Sequence, residues 1–527
     1  MTSHAAPSQS LRAGPREWLG LAVLALTTLL LALDASVLFL ALPHLGADLQ
    51  PSSTQLLWIM DIYGFVIAGF LVTMGALGDR IGRRRLLMTG AAAFTAASII
   101  AAYSTSAEML IATRALLGLA GAAMMSSTLA LISTMFRDRR QRGMAIAVWM
   151  ASFSGGTLIG PVVGGVLLET FWWGSVFLLG VPVVVLLLLT APFLLPEYRA
   201  PGAGRLDLTS VALSLAAILP IVYGLKELAA GGAAWLPVLS IVAGAAVGTA
   251  FVRRQRALPD PLLDVALFAD RTFRAALGVL MVGMATVAGS YLFVTQYLQL
   301  VAGLSPLQAG TWMVPAAAGE IVGALLAPVI ARRVPPAYVV GAGLAISAAG
   351  YLVLTQVDAT TGLAVLMAGT VVAFIGSAPM MALSMDLIVA SAPQEKSGQA
   401  AAMSETSGEF GVSVGIAVLG SVGTAAYRNH VAGSLPAGLP PEAAMATADG
   451  LPAAVAAAEQ LPEQLGVALL EPARAAFTSG LNAAAALTAA LTLALAVVAV
   501  TVLRHVRPTG ADTGEAQSGQ ARIDVSH

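Results

Sequence analysis

Cysteine is absent from this chain of 527 residues, and charge is scarce, with 10% of residues Asp, Glu, Lys or Arg. The first absence excludes disulfides, thiolate metal sites and a cysteine nucleophile. The second excludes a water-facing surface of ordinary extent, because soluble domains carry about 25% charged residues. Aromatics are few, at 6%, and the five histidines (His4, His44, His430, His505 and His527) fall in tails or loops on a sequence reading. No nucleophile–base constellation can be assembled from them, so neither an enzyme, a metal site nor any other cofactor is expected. A net charge of −1 offers nothing to a nucleic acid. What remains is apolar: 58% hydrophobic residues, with 53 glycines and 19 methionines, suits tightly packed helices with the lipid bilayer as solvent.

A bilayer core about 30 Å thick takes about 20 apolar residues per helix. Fourteen segments meet that length: 18–42, 54–77, 86–104, 108–133, 143–168 and 173–195, then 207–226 and 233–252, then 275–301, 307–331, 337–357, 362–389, 398–427 and 475–503. The expected fold class is an all-α integral membrane protein of fourteen transmembrane helices. The run 18–42 exceeds a signal-peptide core, which is nearer 7–15 residues, and is read as a retained first span. Flanking segments 1–17 and 504–527 are polar and expected to be disordered, whereas 428–473 is the longest loop, with room for a short surface helix.

Charge placement tests this count independently. With the N-terminus inside, 23 of the 27 Lys+Arg fall on the cytoplasmic side, only Lys226, Arg428 and Arg474 fall outside, and Arg114 lies within a helix. Adding or removing one span would invert everything downstream. Both termini are therefore expected in the cytoplasm of a bacterial cell, the protein lying in its inner or plasma membrane.

Between the second and third spans stands Gly75-Ala-Leu-Gly78-Asp79-Arg80-Ile-Gly82-Arg83-Arg84-Arg85. Its glycines permit a tight turn and close helix approach, and Asp79 is placed to form a conformational latch with neighbouring N–H groups or arginines. In the fifth span Gly156, Gly160 and Gly164, with Pro161 and Gly165, form a double GxxxG that lets two helix backbones approach. Leu33-Asp34-Ala35-Ser36-Val37 leads to Ala41-Leu42-Pro43 in the first span, and Arg114-Ala-Leu-Leu-Gly118 lies in the fourth. Together these segments resemble the major facilitator superfamily, in its fourteen-helix drug:proton antiporter branch of QacA-like multidrug exporters. The resemblance implies a major facilitator fold, with six-helix bundles at 18–195 and 275–503 and a two-helix insertion and linker at 196–274. The second half has no copy of the Gly/Asp turn, reading Ala331-Arg332-Arg333-Val334-Pro335-Pro336 instead, so any latch is one-sided.

An ionisable group at bilayer depth costs about 2.5–3.5 kcal/mol or more and is a functional hypothesis by default. This chain places Asp34, Asp61, Glu320, Glu405 and Glu409 in its spans, with Arg114 as the one basic residue among them. Asp386 lies near a helix end and reads better as an interfacial residue. Asp61 and Arg114 sit at similar depth in the outer third of their helices, suited to a buried ion pair, which would leave the other acids without a base. Acids buried without a counter-charge are stable only while some carry a proton. An arriving cation favours the ionised form, so proton and cation compete for one set of carboxylates. The resemblance implies proton coupling through Asp34, Asp61, Arg114, Glu405 and Glu409, and cation recognition by Asp34 and Glu320. Apolar and aromatic contact is expected from Trp58, Tyr63, Trp149, Tyr291, Gln296 and Trp312, although Trp and Tyr near helix ends also serve as interfacial anchors.

The reading that follows is a monomeric secondary exporter that exchanges protons for small lipophilic cations such as antiseptics, dyes and antibiotics. Two alternatives stand beside it: the same machine exporting an endogenous metabolite or lipid, and a non-transporting receptor or scaffold.

Overall fold

The computed structural model describes residues 13–136, 138–199, 207–229, 235–258, 261, 263–358, 362–393, 397–435, 439–506 and 508; most of the expected N-terminal arm and C-terminal tail lies outside them. Among these residues there is no strand, and the chain runs as α1 (Pro15–Leu49), α2 (Ser53–Ile81), α3 (Arg83–Ala102), α4 (Ala107–Met135), α5 (Arg139–Thr170), α6 (Ser175–Leu178), α7 (Gly180–Leu194), α8 (Leu208–Ala229) and α9 (Trp235–Ala257). It continues as α10 (Arg271–Gln296), α11 (Pro306–Ala331), α12 (Pro336–Leu354), α13 (Leu363–Ala390), α14 (Ser397–Val431), α15 (Pro441–Asp449), α16 (Leu451–Ala458) and α17 (Glu463–Leu503).

Eleven helical stretches among the described residues are long and apolar enough to cross a membrane, and α2 and α5, each bent, bring the number to 13. The remaining expected span is α8, largely apolar from Leu208 through Leu225. The 40° bend of α5 falls between Thr157 and Ile159. Pro161 explains it: without an N–H, it leaves the carbonyl four residues back without its helical partner.

Starts follow the capping residues. Ser52 and Ser305 each accept a bond from the backbone of Gln55 and Gln308, whose side chains bond back to the cap in reciprocal boxes. Asp138 and Asp270 cap α5 and α10 in the same one-way sense. Three expectations need correction. The first helix continues through Pro43 to Leu49, so His44 lies on a helix rather than in a loop. The last span begins at Glu463 rather than 475, because its outer turns carry Glu463, Glu471 and Arg474, which hydropathy reads as loop. The outer segment holds two short helices, α15 and α16, that pack on α14, α17 and α1.

Two bundles result, α1–α7 and α10–α14 with α17, while α8 and α9 pack on each other and α8 leans on α2 and α14. Glycines set the closest approaches. A Cβ at Gly156 would strike the Leu29 carbonyl, one at Gly160 the Ser36 side chain, and one at Gly164 would stand 2.7 Å from Val37. The double GxxxG therefore seats α5 on α1. On its other side Gly165 abuts Leu307, and the Pro161 carbonyl abuts Gly310, which joins the two bundles through α5 and α11. Gly160→Leu is expected to lower stability by about 1–3 kcal/mol or more through overpacking; a fall in the melting midpoint of detergent-purified protein checks it, and an unchanged midpoint contradicts it.

Candidate functional site

Asp34 stands near the middle of α1 and is buried. Its Oδ2 lies 3.3 Å from Nη1 of Arg114, a residue of α4 that is 2% exposed. The Arg114 Nε donates to the Ile59 carbonyl of α2 at 3.3 Å, and its guanidinium lies over the Tyr63 ring, 4.5 Å from the centroid. Phe177 closes the far side at 6.0 Å. One arginine thus knits α1, α2 and α4.

This arrangement corrects the expectation that Asp34 is left without a base. The side chain of Asp61 lies outside the described residues. Sequence depth placed Asp61 and Arg114 near one another but carried no information on which way the α4 side chain turns. The fork of the guanidinium lets it hold the α2 backbone through Nε while Nη1 reaches α1. Tyr63, expected as a substrate contact, is buried beneath Arg114 and is its cation–π partner instead.

The second bundle presents a different set. Glu320 on α11, with Glu405 and Glu409 on α14, are half-buried, and among the described residues none has a basic side chain in ion-pair range or a hydrogen-bond donor. Glu320 lies on the stripe of α11 that includes the buried Met313, Ala316 and Ala327. Glu405 and Glu409 are one turn apart on one face of α14. Glu409 faces α2 where Gly64 leaves room: a Cβ there would stand 3.5 Å from its Oε2 and 2.7 Å from Ser413 Oγ. The carboxyl therefore sits in the seam between the bundles, on the α2 side that also carries Tyr63.

Aromatic rings line the seam beside Glu320. Tyr291 of α10 meets Phe39 of α1 edge-on at 4.8 Å and stacks on Phe374 of α13 at 6.2 Å. Its hydroxyl is buried with no hydrogen-bond partner among the described residues, as are Trp149 Nε1, Ser413 Oγ and Thr406 Oγ1. Buried polar atoms are nearly always partnered, so the unmet Tyr291 hydroxyl marks a place for water or a bound molecule. Of the other expected contacts, Trp149 is buried in α5 and Trp58 is half-buried in α2. Trp312 does not belong with them: it is 42% exposed on a stripe of α11 shared with Leu326 and Ile330, as a lipid-facing anchor would be. Gln296 is buried, but lines a separate cavity of about 720 Å³ beneath α15 and α16, with Tyr427, Asp449 and Phe477.

The Gly/Asp turn is a brace inside the first bundle. Asp79 Oδ1 accepts from Arg83 Nε at 2.8 Å and lies 2.6 Å from its Nη2, and Arg83 Nη1 reaches the Ser126 carbonyl of α4 at 3.1 Å. Gly82 has φ +110°, and a Cβ there would collide with Glu197. The Glu197 carboxylate accepts from the Arg84 backbone at 3.2 Å and lies 3.7 and 3.8 Å from the Arg84 and Arg85 side chains. Gly78 packs on the Arg83 side chain, and Gly75 lies at the edge of its guanidinium. Arg80 is half-buried with no ion pair among the described residues. The expected latch therefore closes onto its own turn rather than across the bundles, because Arg83 is one helical turn from Asp79. Sequence reasoning missed Glu197, Phe39 and Phe374. A lone acid after an apolar span and two phenylalanines in apolar runs carry no signal until the helices are placed side by side. Gly82→Ala is expected to lower stability and yield, as both φ and Glu197 oppose a side chain; yield and melting midpoint like those of the parent protein contradict it.

Comparison with known proteins follows this geometry. The family model for the Major Facilitator Superfamily matches residues 24–416. The multidrug efflux pump LfrA of Mycolicibacterium smegmatis is 43% identical over 470 residues, covering 89% of this chain and 93% of that protein. The methyl viologen resistance protein SmvA of Salmonella typhimurium is 38% identical over 428 residues, covering 80% and 86%. Among solved structures, a bacterial homologue of the human lysosomal transporter Spinster, in an inward-facing and unoccupied conformation, superposes with TM-score 0.65 at 16% identity, covering 94% of this chain and 98% of that one.

Proposed function

The chain belongs to the major facilitator superfamily, a family of membrane transporters and not enzymes, and from that membership we propose that it is a proton-coupled exporter of lipophilic cations. The single observation that carries this reading is the trio Glu320, Glu405 and Glu409 in the seam, with no basic partner among the described residues. Similarity to proteins named as a multidrug efflux pump and a methyl viologen resistance protein supports a cationic, drug-like cargo. The rings of Phe39, Tyr291 and Phe374 beside Glu320 support it further, since a flat cation gains about 0.5–2 kcal/mol from each face it meets.

The cycle follows from competition. With a cation absent, the seam acids carry protons, because three ionised carboxylates without a base are costly at low dielectric. A cation arriving between Glu320 and the rings stabilises the ionised form and releases a proton. Protons returning from outside reverse this and release the cation outward. The Asp34–Arg114 pair acts differently: protonating Asp34 would remove the negative charge that Arg114 faces at 3.3 Å, so its state is tied to how α1, α2 and α4 meet. The positive-inside pattern supports cytoplasmic termini, and the contacts between bundles named above lie on middle and outer turns (Glu409 with Gly64, Leu307 with Gly165). That distribution supports a form open toward the cytoplasm. The outer cavity roofed by α15 and α16 lies on the exit side of this reading.

Ethidium efflux from energised cells expressing the chain tests the proposal. Efflux is expected to collapse on adding a protonophore. Efflux that survives it removes proton coupling, and absence of any cation efflux in uninhibited cells removes the cargo class.

A further inference from the structure

A second space lies on the insertion side of the α2–α14 contact. It is a cavity of about 630 Å³ between the α8–α9 insertion and the line where α2 meets α14. Gly69 of α2 and Thr406 of α14 form its inner wall, Ala217 and Gly248 its outer wall, and Arg253 and Arg256 stand at one end. Small residues make the room. At Gly248 an added Cβ would meet only the Ala217 methyl, at 3.6 Å.

Depth and charge say what fits. The lining reaches Ala245, 12 residues before the end of α9 at Ala257, which is about 18 Å at 1.5 Å per residue. One leaflet of hydrocarbon is about half of 30 Å. The cavity is therefore one leaflet deep, apolar along its length, and basic only at its mouth. The two arginines there are free of acids: among the described residues neither forms an ion pair, whereas Arg254 between them is held by Asp207 at 2.9 and 3.0 Å. That bond, with the Ser210 hydroxyl, keeps the Asp207 carboxyl well below the usual carboxylate range. The same clasp continues through Gln255 Nε2 to Ser210 Oγ at 2.6 Å and from Leu263 N to Gln255 Oε1 at 3.1 Å, which anchors the mouth of the cavity to the linker.

We propose that this cavity holds an anionic phospholipid of the cytoplasmic leaflet, its headgroup on Arg253 and Arg256 and an acyl chain between the insertion and the α2–α14 seam. Basic pockets between transmembrane helices on the cytoplasmic side recognise such headgroups by charge, and a zwitterionic lipid would leave both guanidinium groups without a net counter-charge. The proposal uses the orientation given under the proposed function but not the transport chemistry. It gives the two inserted helices a role, since the lipid would fill the gap they leave against the bundles. It also places a lipid chain against Thr406, the neighbour of Glu405.

Native mass spectrometry of the full-length protein in detergent, titrated with phosphatidylglycerol and phosphatidylcholine of equal chain length, tests this. The parent protein is expected to retain phosphatidylglycerol at least fivefold over phosphatidylcholine. Arg253→Gln/Arg256→Gln is expected to abolish that preference, while Arg332→Gln/Arg333→Gln, on the same face but outside the cavity, keeps it. Gly248→Trp, which fills the space, is expected to reduce retention of both lipids. Equal retention of the two lipids by the parent protein, or an unchanged preference in the Arg253/Arg256 variant, overturns the proposal. Displacement of the bound lipid by ethidium at stoichiometric amounts would also overturn it, by showing a cation port instead. Failure of ethidium efflux in cells would leave these lipid results untouched, so the two readings fail separately.

Discussion

Asp34→Asn is expected to abolish ethidium efflux, lowering the initial rate at least tenfold with the protein still present in the membrane. Asp34 is the acid that faces Arg114 at 3.3 Å, and both are almost wholly enclosed. Breaking a buried pair by removing one of its charges costs about 3–5 kcal/mol. Arg114 keeps the Ile59 carbonyl and the Tyr63 face, so the fold has other bonds to hold it. What the substituted amide cannot do is take and give up a proton. Efflux by this variant within twofold of the parent rate, at equal expression, would remove Asp34 from the mechanism. Arg114→Gln with Asp34→Asn makes the pair neutral; it is expected to restore abundance but not efflux, which separates the structural from the transport contribution.

Glu320→Gln is expected to discriminate by charge. A dication such as methyl viologen should lose at least tenfold in protection or efflux, and monovalent ethidium distinctly less. Two unit charges 4 Å apart at an effective dielectric of 20 interact by about 4 kcal/mol, and a dication at that distance by about twice as much. The stacked rings of Tyr291 and Phe374 remain in the variant and still hold a flat monocation. Equal losses for both cargoes would mean that Glu320 serves proton movement rather than cation recognition. No loss for either would take it out of the site.

Much of this architecture was legible in the residues. Span length and arginine placement led to fourteen segments, and the structure has a helix over every one of them. The GxxxG period announced a close helix contact but not its partner, which is α1 through Leu29, Ala32, Ser36 and Val37. The acids were visible for the same reason that makes them costly, as lone charges in apolar runs. The contact of Asp34 with Arg114 was not, since a linear pattern holds no azimuth. Tyr63 illustrates the loss: ring and arginine are far apart in sequence and meet only when α2 and α4 pack. The short helices α15 and α16 stayed hidden because each has too few residues for a period to emerge, and proline marks both of their starts.

The claim on which the mechanism turns is that cargo and hydrogen ions exchange on Glu320, Glu405 and Glu409. It can be read without a membrane gradient, by adding tetraphenylphosphonium to detergent-purified protein in weakly buffered solution with a pH-sensitive dye. The account predicts proton release that saturates with the cation, and none from Glu320→Gln/Glu405→Gln/Glu409→Gln. Saturable cation binding with no proton release from the parent protein would contradict it.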